Sequence, residues 1–259
     1  MNKKSVLDKF YTKQEVAKQL IDTIPGTYDL WLEPSAGAGA FLKHLPTPRL
    51  GLDIDPDDDE CRQQDFFTYT PDNRKTCVVG NPPFGYQSKL AIDFFNYAAS
   101  WADCIAFIVP RTFRKHSVQN KLSLNWSLHT NQVIDPASFI LLADDGTMRD
   151  YSVPCCWQIW MPGKRKKTVL KTTHPSIMWT TPDKAKYAMR RVGGLAGKIY
   201  TDNWQQYSTQ SHYYFDCSDD TLAKLIALYP KMQETSKDVA GNPSIGKGEI
   251  VLLLSEAVQ

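Results

Sequence analysis

Apolar runs and helical patterns alternate along the first 110 residues, and each apolar run stops at a small or polar sequence. Buried-strand patterns cover residues 28–32, 49–54, 76–79 and 104–109, and an amphipathic helical pattern covers 88–101. Strands that alternate with helices predict βαβ units around a mostly parallel sheet. Because ligands of such sheets bind outside the carboxyl ends of the strands, the sequences that follow the strands are the expected functional sites.

Two further patterns extend this α/β prediction. We expect a helix over residues 12–24, since apolar residues recur there at helical spacing, Thr12 is suited to cap its start and Glu15 occupies the capping-box position. A shorter helix is expected from Ala40, and residues 151–161 predict a late strand pair or hairpin.

Charge is unevenly distributed along the chain. Residues 1–163 carry 16 basic and 19 acidic side chains, whereas residues 164–259 carry 14 basic and 9 acidic ones. A composition break at 162–167 separates the two parts, so we predict a catalytic domain over 1–163 and a basic C-terminal region over 164–259. Such a difference in sign is typical of proteins with a polyanionic partner.

The basic C-terminal region is predicted to contact nucleic acid. Between residues 164 and 198, ten basic side chains occur beside a single acid, Asp183, which indicates a surface that follows phosphates. The elements expected there are strand-like pieces at 177–180, 197–201 and 212–217 and helices near 219–229 and 247–257. The candidate substrate contacts, one of them from the first part of the chain, are Arg111, Lys166, Lys167, Arg190 and Arg191.

Neither a metal site nor a membrane span is expected. The six cysteines show no metal-ligand spacing and are interpreted as small buried hydrophobic residues. The chain start, Met1–Ser5, lacks the apolar stretch of a signal peptide, and no apolar run approaches 18 residues. We therefore expect a cytoplasmic protein.

A turn of small residues, Glu33–Phe41, follows the first predicted strand. Ala36, Gly37 and Gly39 would let the backbone approach a ligand closely. The leading Glu33-Pro34 offers a carboxylate to a cationic or hydroxyl-bearing group, whereas a phosphate site would need a lysine or a bare helix N-terminus. This combination predicts a cofactor loop.

Two acidic residues beyond the glycine turn are further candidates, Asp53 in the last residues of the second predicted strand and Asp65 after it. Asp53 is suited to bind ribose hydroxyls, with Ile54 beside it to pack on an adenine ring. Asp65 is suited to accept from an exocyclic amine, with Phe66 to stack, although a helix cap explains Asp65 equally well. The acidic run Asp55–Glu60 lacks the pattern of a calcium loop and is expected to be a solvated loop.

The sharpest signal is the tetrapeptide Asn81-Pro82-Pro83-Phe84, which directly follows the buried strand at 76–79. Two prolines stiffen the turn and bias Asn81 toward an extended conformation. The Asn81 side-chain oxygen and the Pro82 carbonyl can then accept both hydrogens of one substrate NH₂ group, while Phe84 offers a flat face to a planar ring.

These motifs, in this order, resemble those of the class I, S-adenosylmethionine-dependent methyltransferases that act on the N6 amine of adenine in nucleic acid. The resemblance covers roughly residues 10–160. It implies a Rossmann-like α/β fold with a mostly parallel seven-stranded sheet and S-adenosylmethionine as the cofactor. It also implies a flipped adenine as the substrate, with DNA favoured and RNA as the alternative, in a monomer or homodimer.

The resemblance implies a role for each motif. The implied catalytic residues are Asn81, Pro82, Pro83 and Phe84. The implied cofactor-binding residues are Tyr11, Thr12, Glu33, Pro34, Ala36, Gly37, Gly39, Asp53, Ile54, Asp65, Phe66 and Asn81. Phe84 and the later Phe113 would hold the base.

Three other functions stay open. An RNA adenine methyltransferase would use the same tetrapeptide. A protein glutamine methyltransferase would present an amide NH₂ to the same two acceptors, although Phe84 in place of a tyrosine and the basic region count against it. A nucleic-acid-binding module with an inactive methyltransferase fold is the third, and failure to bind the cofactor would support it.

Overall fold

The computed structural model describes residues 10–142, 147–239 and 241–257, so that Met1–Ser5 lie outside the described residues. The chain forms two compact units. The first unit comprises the chain through Arg114 together with Val118–Lys167, and the second comprises Lys115–Ser117 together with the chain from Thr168. Each unit has its own sheet and its own apolar core.

Strands and helices occupy the following ranges. The strands are β1 (Phe10–Thr12), β2 (Leu30–Glu33), β3 (Arg49–Asp53), β4 (Cys61–Gln63), β5 (Thr76–Gly80), β6 (Cys104–Pro110), β7 (Trp126–Val133), β8 (Phe139–Leu142), β9 (Met148–Tyr151), β10 (Cys155–Pro162), β11 (Met178–Trp179), β12 (Tyr187–Arg190), β13 (Ile199–Tyr200) and β14 (His212–Asp216). The helices are α1 (Gln14–Ile21), α2 (Lys89–Ala98), α3 (His116–Gln119), α4 (Asp219–Ala227), α5 (Tyr229–Ser236) and α6 (Lys247–Glu256). Within the described residues, no helix has the length and apolarity needed to cross a membrane.

The central sheet of the first unit contains seven strands in the order β4-β3-β2-β5-β6-β10-β7. β4, β3, β2, β5 and β6 are parallel to one another, and β10 runs antiparallel to both of its neighbours, β6 and β7. Every residue of β2, β5 and β6 is buried, as expected for parallel strands covered on both faces. The predicted Rossmann-like α/β fold with a mostly parallel seven-stranded sheet is confirmed.

The direction of chain progression reverses between β2 and β5. From β2 the chain continues to β3 and β4 on one side, and it then returns to β5 and β6 on the other side. The carboxyl ends of β2 and β5 therefore border a crevice of the kind in which doubly wound sheets bind ligands. Glu33 ends β2 and Asn81 follows β5, so the topology brings the glycine turn and the tetrapeptide to the same edge of the sheet.

A three-stranded antiparallel sheet, β1-β8-β9, also belongs to the first unit. In this sheet Tyr11 lies opposite Ile140. The prediction that Thr12 caps a helix is wrong, because Thr12 ends β1 and α1 begins at Gln14, with Lys13 at its N-cap and no side-chain cap.

Two other sequence predictions differ from the structure. The helix expected from Ala40 is a single 3-10 turn at Leu42–His44. Residues 151–161 do not form a hairpin, because β9 and β10 belong to different sheets. β7 was not predicted, since it is an edge strand with mostly half-buried or exposed side chains and so lacks the apolar signal of an inner strand.

The second unit contains a four-stranded antiparallel sheet in the order β11-β14-β12-β13. Helices α4, α5 and α6 contribute apolar side chains to its core, which includes Met189, Phe215, Leu225, Met232 and Ile250. The predicted strands at 177–180, 197–201 and 212–217 correspond to β11, β13 and β14, and the predicted helices correspond to α4 and α6. β12 and α5 were not predicted.

Candidate cofactor and substrate site

A cavity of about 760 Å³ lies in the first unit, at the carboxyl ends of β2, β3 and β5. Its volume is within the range of sites that hold a cofactor or a drug-sized ligand, about 300–1,000 Å³. Its walls come from five sequence motifs and from α2: Tyr11, Thr12, Glu33–Gly37, Ala40, Phe41, Asp53–Asp55, Asp57, Asp65–Phe67, Asn81–Tyr86, Leu90 and Phe94. The cavity therefore brings together most of the residues that the sequence motifs predicted as a cofactor and catalytic site.

The glycine turn is shaped by close contacts on both of its sides. Gly37 has a left-handed φ of 51°, and a Cβ at this position would lie 3.1 Å from the ring of Tyr11. The Gly37 amide donates to Asp53 Oδ2 at 2.8 Å. A side chain at Gly37 would therefore both strain the backbone and displace Tyr11, which explains why the turn requires glycine there.

Asp53 uses both of its carboxylate oxygens to hold backbone. Oδ2 accepts from Gly37, and Oδ1 accepts from the amide of Asp55 at 2.8 Å. A carboxylate oxygen has more than one acceptor position, so these bonds leave capacity for the hydroxyl groups of a ligand. The next residue, Ile54, lines the cavity with a side chain that is 56% exposed, which suits an apolar support for a flat ring.

Glu33 is a buried carboxyl at the end of β2. Only 2% of it is exposed, and its Oε2 accepts from the Leu42 amide at 2.7 Å. Burial raises the pKa of Glu33 well above its usual value, and the hydrogen bonds from the backbone of Leu42 and Phe41 oppose this shift only in part. Glu33 therefore anchors the 3-10 turn that follows the glycine turn, in addition to lining the cavity.

The acidic run after Asp53 is a largely exposed loop, as predicted, and two of its acids also contact the glycine turn or its neighbours. The Tyr11 hydroxyl donates to Asp57, and the Asp57 amide donates to the Gly37 carbonyl at 3.1 Å. Asp58 pairs with Lys43 at 2.6 Å, and this contact lowers the pKa of Asp58. The acids of this run therefore tie the glycine turn to Tyr11, which is a structural role that neither of the considered alternatives, loop or metal site, included.

Asp65 and the two phenylalanines that follow it divide their roles. Asp65 Oδ1 accepts from the Phe67 amide at 2.9 Å, so the helix-cap interpretation is correct for this oxygen. Phe66 is 1% exposed and stacks on Phe94 with ring centroids 5.1 Å apart. Phe67 is 37% exposed, so it rather than Phe66 offers most ring surface at the cavity.

The residue before the tetrapeptide, Gly80, has a backbone conformation that favours glycine. Gly80 has a φ of 151°, and a Cβ there would lie 3.2 Å from Glu33 Cγ. The hydroxyl of Ser35 donates to the Asn81 carbonyl at 3.2 Å, which links the glycine turn to the tetrapeptide. The positions of these two motifs are thus fixed relative to each other by direct contacts.

Asn81 carries the most informative polar atom of the cavity. Its Oδ1 is buried and has no hydrogen-bond partner among the residues that the structure describes. Thr12 also lines the cavity, and its Oγ1 is likewise buried without a hydrogen-bond partner among the described residues. Buried acceptors of native proteins are nearly always paired, so an unpaired one on a residue of the cavity wall is suited to accept from a donor outside the protein, a ligand or a water.

Gly39, Phe113 and Arg111, all predicted site residues, do not line the cavity. Gly39 has a φ of 74°, and a Cβ there would lie 3.1 Å from Asp58, so it shapes the turn rather than contacting a ligand. Phe113 is 1% exposed, because its ring packs in the core between the sheet and α2. Arg111 follows β6, and its amide donates to the Pro154 carbonyl at 3.0 Å.

The predicted basic contacts fall in both units. Lys166 and Lys167 are exposed at the end of the first unit, whereas Arg190 and Arg191 are half-buried in the second. Arg165 was counted among the phosphate-contacting cations, and its position contradicts that interpretation. Its guanidinium donates to the backbone carbonyls of Trp126, Gln119 and Leu122, so it holds the chain before β7.

Several residues of the cavity were not found from the sequence. Phe67, Leu90 and Phe94 add apolar surface, and Asp57 adds the hydrogen bond to Tyr11. Tyr86 is 85% exposed and lies two residues after the tetrapeptide. Its adjacency to the tetrapeptide was the available signal for Tyr86, whereas Asp57 gave none, because its partner is 46 residues away.

Comparison with known proteins gives likeness in fold only. Neither a protein-family model nor a curated protein matches the chain. A protein of Pyrococcus horikoshii that is proposed to be an RNA methyltransferase is 15% identical, with a TM-score of 0.45 over 62% of this chain and 90% of its own. The 23S rRNA methyltransferase ErmE is 16% identical, with a TM-score of 0.42 over 63% of this chain and 72% of its own.

A third solved structure covers more of this chain. The modification subunit of a proposed type I restriction enzyme from Vibrio vulnificus YJ016 is 14% identical, with a TM-score of 0.40 over 84% of this chain and 57% of its own. Similarity at this level says nothing of the activity, the substrate or the partners of this chain.

Proposed function

We propose that this chain is an S-adenosylmethionine-dependent methyltransferase that acts on the N6 amine of adenine in nucleic acid, with DNA as the favoured substrate. The observation that carries the proposal is the buried, unpartnered Oδ1 of Asn81. It lies at the carboxyl end of β5, in a cavity that also contains the glycine turn and Asp53. An unpaired acceptor in this position is suited to an NH₂ group as the reacting group.

The cavity suits the proposed cofactor in size and in chemistry. Asp53 has acceptor capacity for ribose hydroxyls, and Ile54 and Phe67 offer apolar surface on which an adenine ring can lie. Gly37 and Tyr11 border the space in which the methionine part would lie, and buried Glu33 offers a carboxyl near its ammonium group. When bound, S-adenosylmethionine supplies an electrophilic methyl group.

The tetrapeptide would activate the substrate amine by hydrogen bonding. The lone pair of an aromatic NH₂ group is delocalised into the ring, so the amine is a poor nucleophile. Asn81 Oδ1 and the Pro82 carbonyl would accept its two hydrogens and draw them out of the ring plane, which localises the lone pair on nitrogen. No general base is required before transfer, because the proton is lost once the nitrogen is cationic.

Phe84 would hold the base in a reactive position. Its half-buried ring packs against both apolar clusters of the first unit, so its orientation is restricted. A base stacked on this ring would present its amine to Asn81, and alignment of nitrogen, methyl carbon and sulfur would supply the remaining rate enhancement. Because the cavity is a recess, a target within a duplex would have to leave the base stack.

The test is methyl transfer from labelled S-adenosylmethionine to unmethylated duplex DNA, single-stranded DNA and RNA in parallel, with nucleoside mass analysis. Asn81→Ala is compared with Asn125→Ala, an exposed asparagine of the same unit that does not line the cavity. We expect N6-methyladenine in DNA with the wild type and Asn125→Ala, and none with Asn81→Ala. If only RNA is labelled, the substrate is RNA and not DNA. If neither nucleic acid is labelled, the proposal is contradicted.

A further inference from the structure

A cluster of two cations and two aromatic rings occurs in the second unit, apart from any motif that the proposed methyl transfer uses. The Lys247 ammonium lies 4.8 Å from the ring centroid of Trp179 and 5.4 Å from that of Tyr213. The guanidinium carbon of Arg191 lies 5.3 Å from the centroid of the same Tyr213 ring. We refer to these four residues as the cation–aromatic cluster.

The cluster carries two positive charges without an acid to neutralise them. Among the described residues, neither Arg191 nor Lys247 forms an ion pair. Glu249, the acid of the first turn of α6, accepts instead from Lys115 at 3.0 Å and from the Gly246 amide at 2.7 Å. Burial and the charge of Arg191 lower the pKa of Lys247, which is the direction expected where no carboxylate is close.

The backbone holds both cations in place. The segment 241–247 lies beside the end of β12, because the Ile245 amide donates to the Arg191 carbonyl at 2.9 Å and the Gly193 amide donates to the Pro243 carbonyl at 2.7 Å. These bonds fix the start of α6, where Lys247 is the first residue. The backbone positions from which the two cationic side chains extend are thus fixed relative to each other.

The two rings are also fixed. The Trp179 Nε1 donates to the Thr172 carbonyl at 2.8 Å, and the Tyr213 hydroxyl donates to the Ile245 carbonyl at 3.3 Å. Their centroids are 5.6 Å apart in an edge-to-face arrangement. Arg191 Nε is buried and has no hydrogen-bond partner among the described residues, so the guanidinium keeps an unused donor.

We propose that the cation–aromatic cluster is a binding site for a backbone phosphate of the nucleic acid on which the enzyme acts. Both cations contact the Tyr213 ring, and the charge of Arg191 acts on Lys247, so an anion bound beside them would offset their mutual repulsion and accept from their charged groups. Nucleic acid rather than free phosphate suits the site, because half-buried Trp179 and Tyr213 place ring surface next to the cations, as in proteins that bind phosphate and base together. This inference rests on the proposed function for its choice of nucleic acid.

The test measures nucleic-acid affinity against salt concentration for the full chain, by fluorescence anisotropy with labelled duplex and single-stranded oligonucleotides. The variants are Lys247→Gln, Arg191→Gln and the charge-conserving Lys247→Arg. Lys224→Gln is the matched control, since Lys224 is an exposed lysine of α4 that is already paired with Asp220. Thermal unfolding of each variant establishes that it is folded.

Loss of one phosphate contact should reduce the slope of log affinity against log salt by about 0.9 for duplex DNA or about 0.7 for a single strand. At 0.1 M salt this corresponds to a rise in Kd of roughly fivefold to eightfold. We expect this change for Lys247→Gln and Arg191→Gln, and the wild-type slope for Lys247→Arg and Lys224→Gln. An unchanged slope in folded Lys247→Gln, or an equal change in Lys224→Gln, would overturn the site.

The two proposals fail in different ways. Methyl transfer to nucleic acid with an unchanged salt slope in the cluster variants would reject the phosphate site and keep the proposed activity. A reduced salt slope in a protein that transfers no methyl group would keep the phosphate site and reject the activity. Inorganic phosphate is also added as a competitor of the oligonucleotide. If the same phosphate concentration displaces the oligonucleotide from the wild type and from Lys247→Gln, the cluster is not the phosphate site.

Discussion

The glycine turn and the tetrapeptide lie at the same edge of the central sheet, yet their polar groups are used differently. In and around the glycine turn, Glu33, Asp53 and Asp58 each accept from a donor of the protein itself. In the tetrapeptide, Asn81 Oδ1 has no partner among the described residues. The acids of the turn are therefore used largely by the protein itself, whereas the tetrapeptide contains an acceptor that is open to a donor from outside the protein.

This difference separates two kinds of polar motif that look alike in a sequence. Acids beside glycines suggest ligand binding, but here much of their hydrogen-bonding capacity holds the backbone in a shape that a ligand can enter. Substitutions in the turn should therefore change stability and binding together. Substitutions at Asn81 should change the rate and leave stability almost unaffected.

The largest expected effect is on the rate of Asn81→Ala. Loss of one preorganised hydrogen-bonding group aimed at the reacting atoms typically costs roughly 10²–10³ in kcat. Because Asn81 Oδ1 makes no hydrogen bond with the described protein, we expect the free energy of unfolding to change by less than about 1 kcal/mol. Single-turnover methyl transfer and chemical denaturation measure the two quantities.

Asn81→Asp sharpens this prediction, because aspartate keeps an acceptor at the same place. It should retain more activity than Asn81→Ala. If the two variants are equally inactive although both bind the cofactor, hydrogen-bond acceptance by this side chain is not its role. A large loss of stability in Asn81→Ala would remove the contrast between the two motifs.

The next effect is expected for Gly37→Ala. The left-handed φ and the 3.1 Å approach of the Tyr11 ring should together cost about 1–3 kcal/mol of stability. Displacement of Tyr11 should also weaken cofactor binding, as measured by calorimetry. Gly194→Ala is the matched control, because a Cβ at Gly194 would have nothing within 4 Å, and its stability and cofactor affinity should equal those of the wild type. Equal behaviour of the two variants would contradict the structural account of the turn.

A smaller effect concerns the pH dependence of stability through Glu33. Its pKa is raised in the folded state, so the folded protein holds this proton more tightly than the unfolded chain does. The contribution of this proton to the free energy of unfolding is fully present below the ordinary glutamate pKa. It is lost as the pH rises toward the pKa of Glu33 in the folded protein. Glu33→Gln lacks this titration, so its free energy of unfolding should fall less than that of the wild type between pH 5 and pH 8. Parallel pH profiles would indicate that Glu33 is charged in the folded protein.

The sequence predicted the sheet well because its inner strands are continuous apolar runs. β2, β5 and β6 have no exposed residue, so each appears in the sequence as a run of mostly apolar residues. β7 and β8 were missed, since β7 is a largely exposed edge strand and β8 pairs with β1 over a long sequence separation. The order of neighbours depends on tertiary packing that no local pattern encodes.

The candidate site was predictable where motifs are contiguous and not where partners are distant. Gly37, Asp53 and Asn81 were found because each follows a strand. The exchange of roles between Phe66 and Phe67 was not foreseeable, because the side that faces the core depends on the geometry of a 3-10 turn. Phe113 was placed at the substrate by resemblance alone, whereas its ring is buried in the core.

The smallest expected effect is at the segment that follows the tetrapeptide. Gln87 has a left-handed φ of 52°, which disfavours a residue with a Cβ by about 1–2 kcal/mol. Gln87→Gly should remove this strain, and the greater freedom of glycine in the unfolded chain should offset part of the gain, so we expect stabilisation by at most about 1 kcal/mol. Gln87→Ala keeps the strain and is the control, with stability close to that of the wild type. If Gln87→Gly is more stable but slower in methyl transfer, the strained segment contributes to holding neighbouring Tyr86 at the cavity. If its rate is unchanged, the backbone strain at Gln87 has no part in the reaction, and the rate depends on the tetrapeptide without help from the segment that follows it.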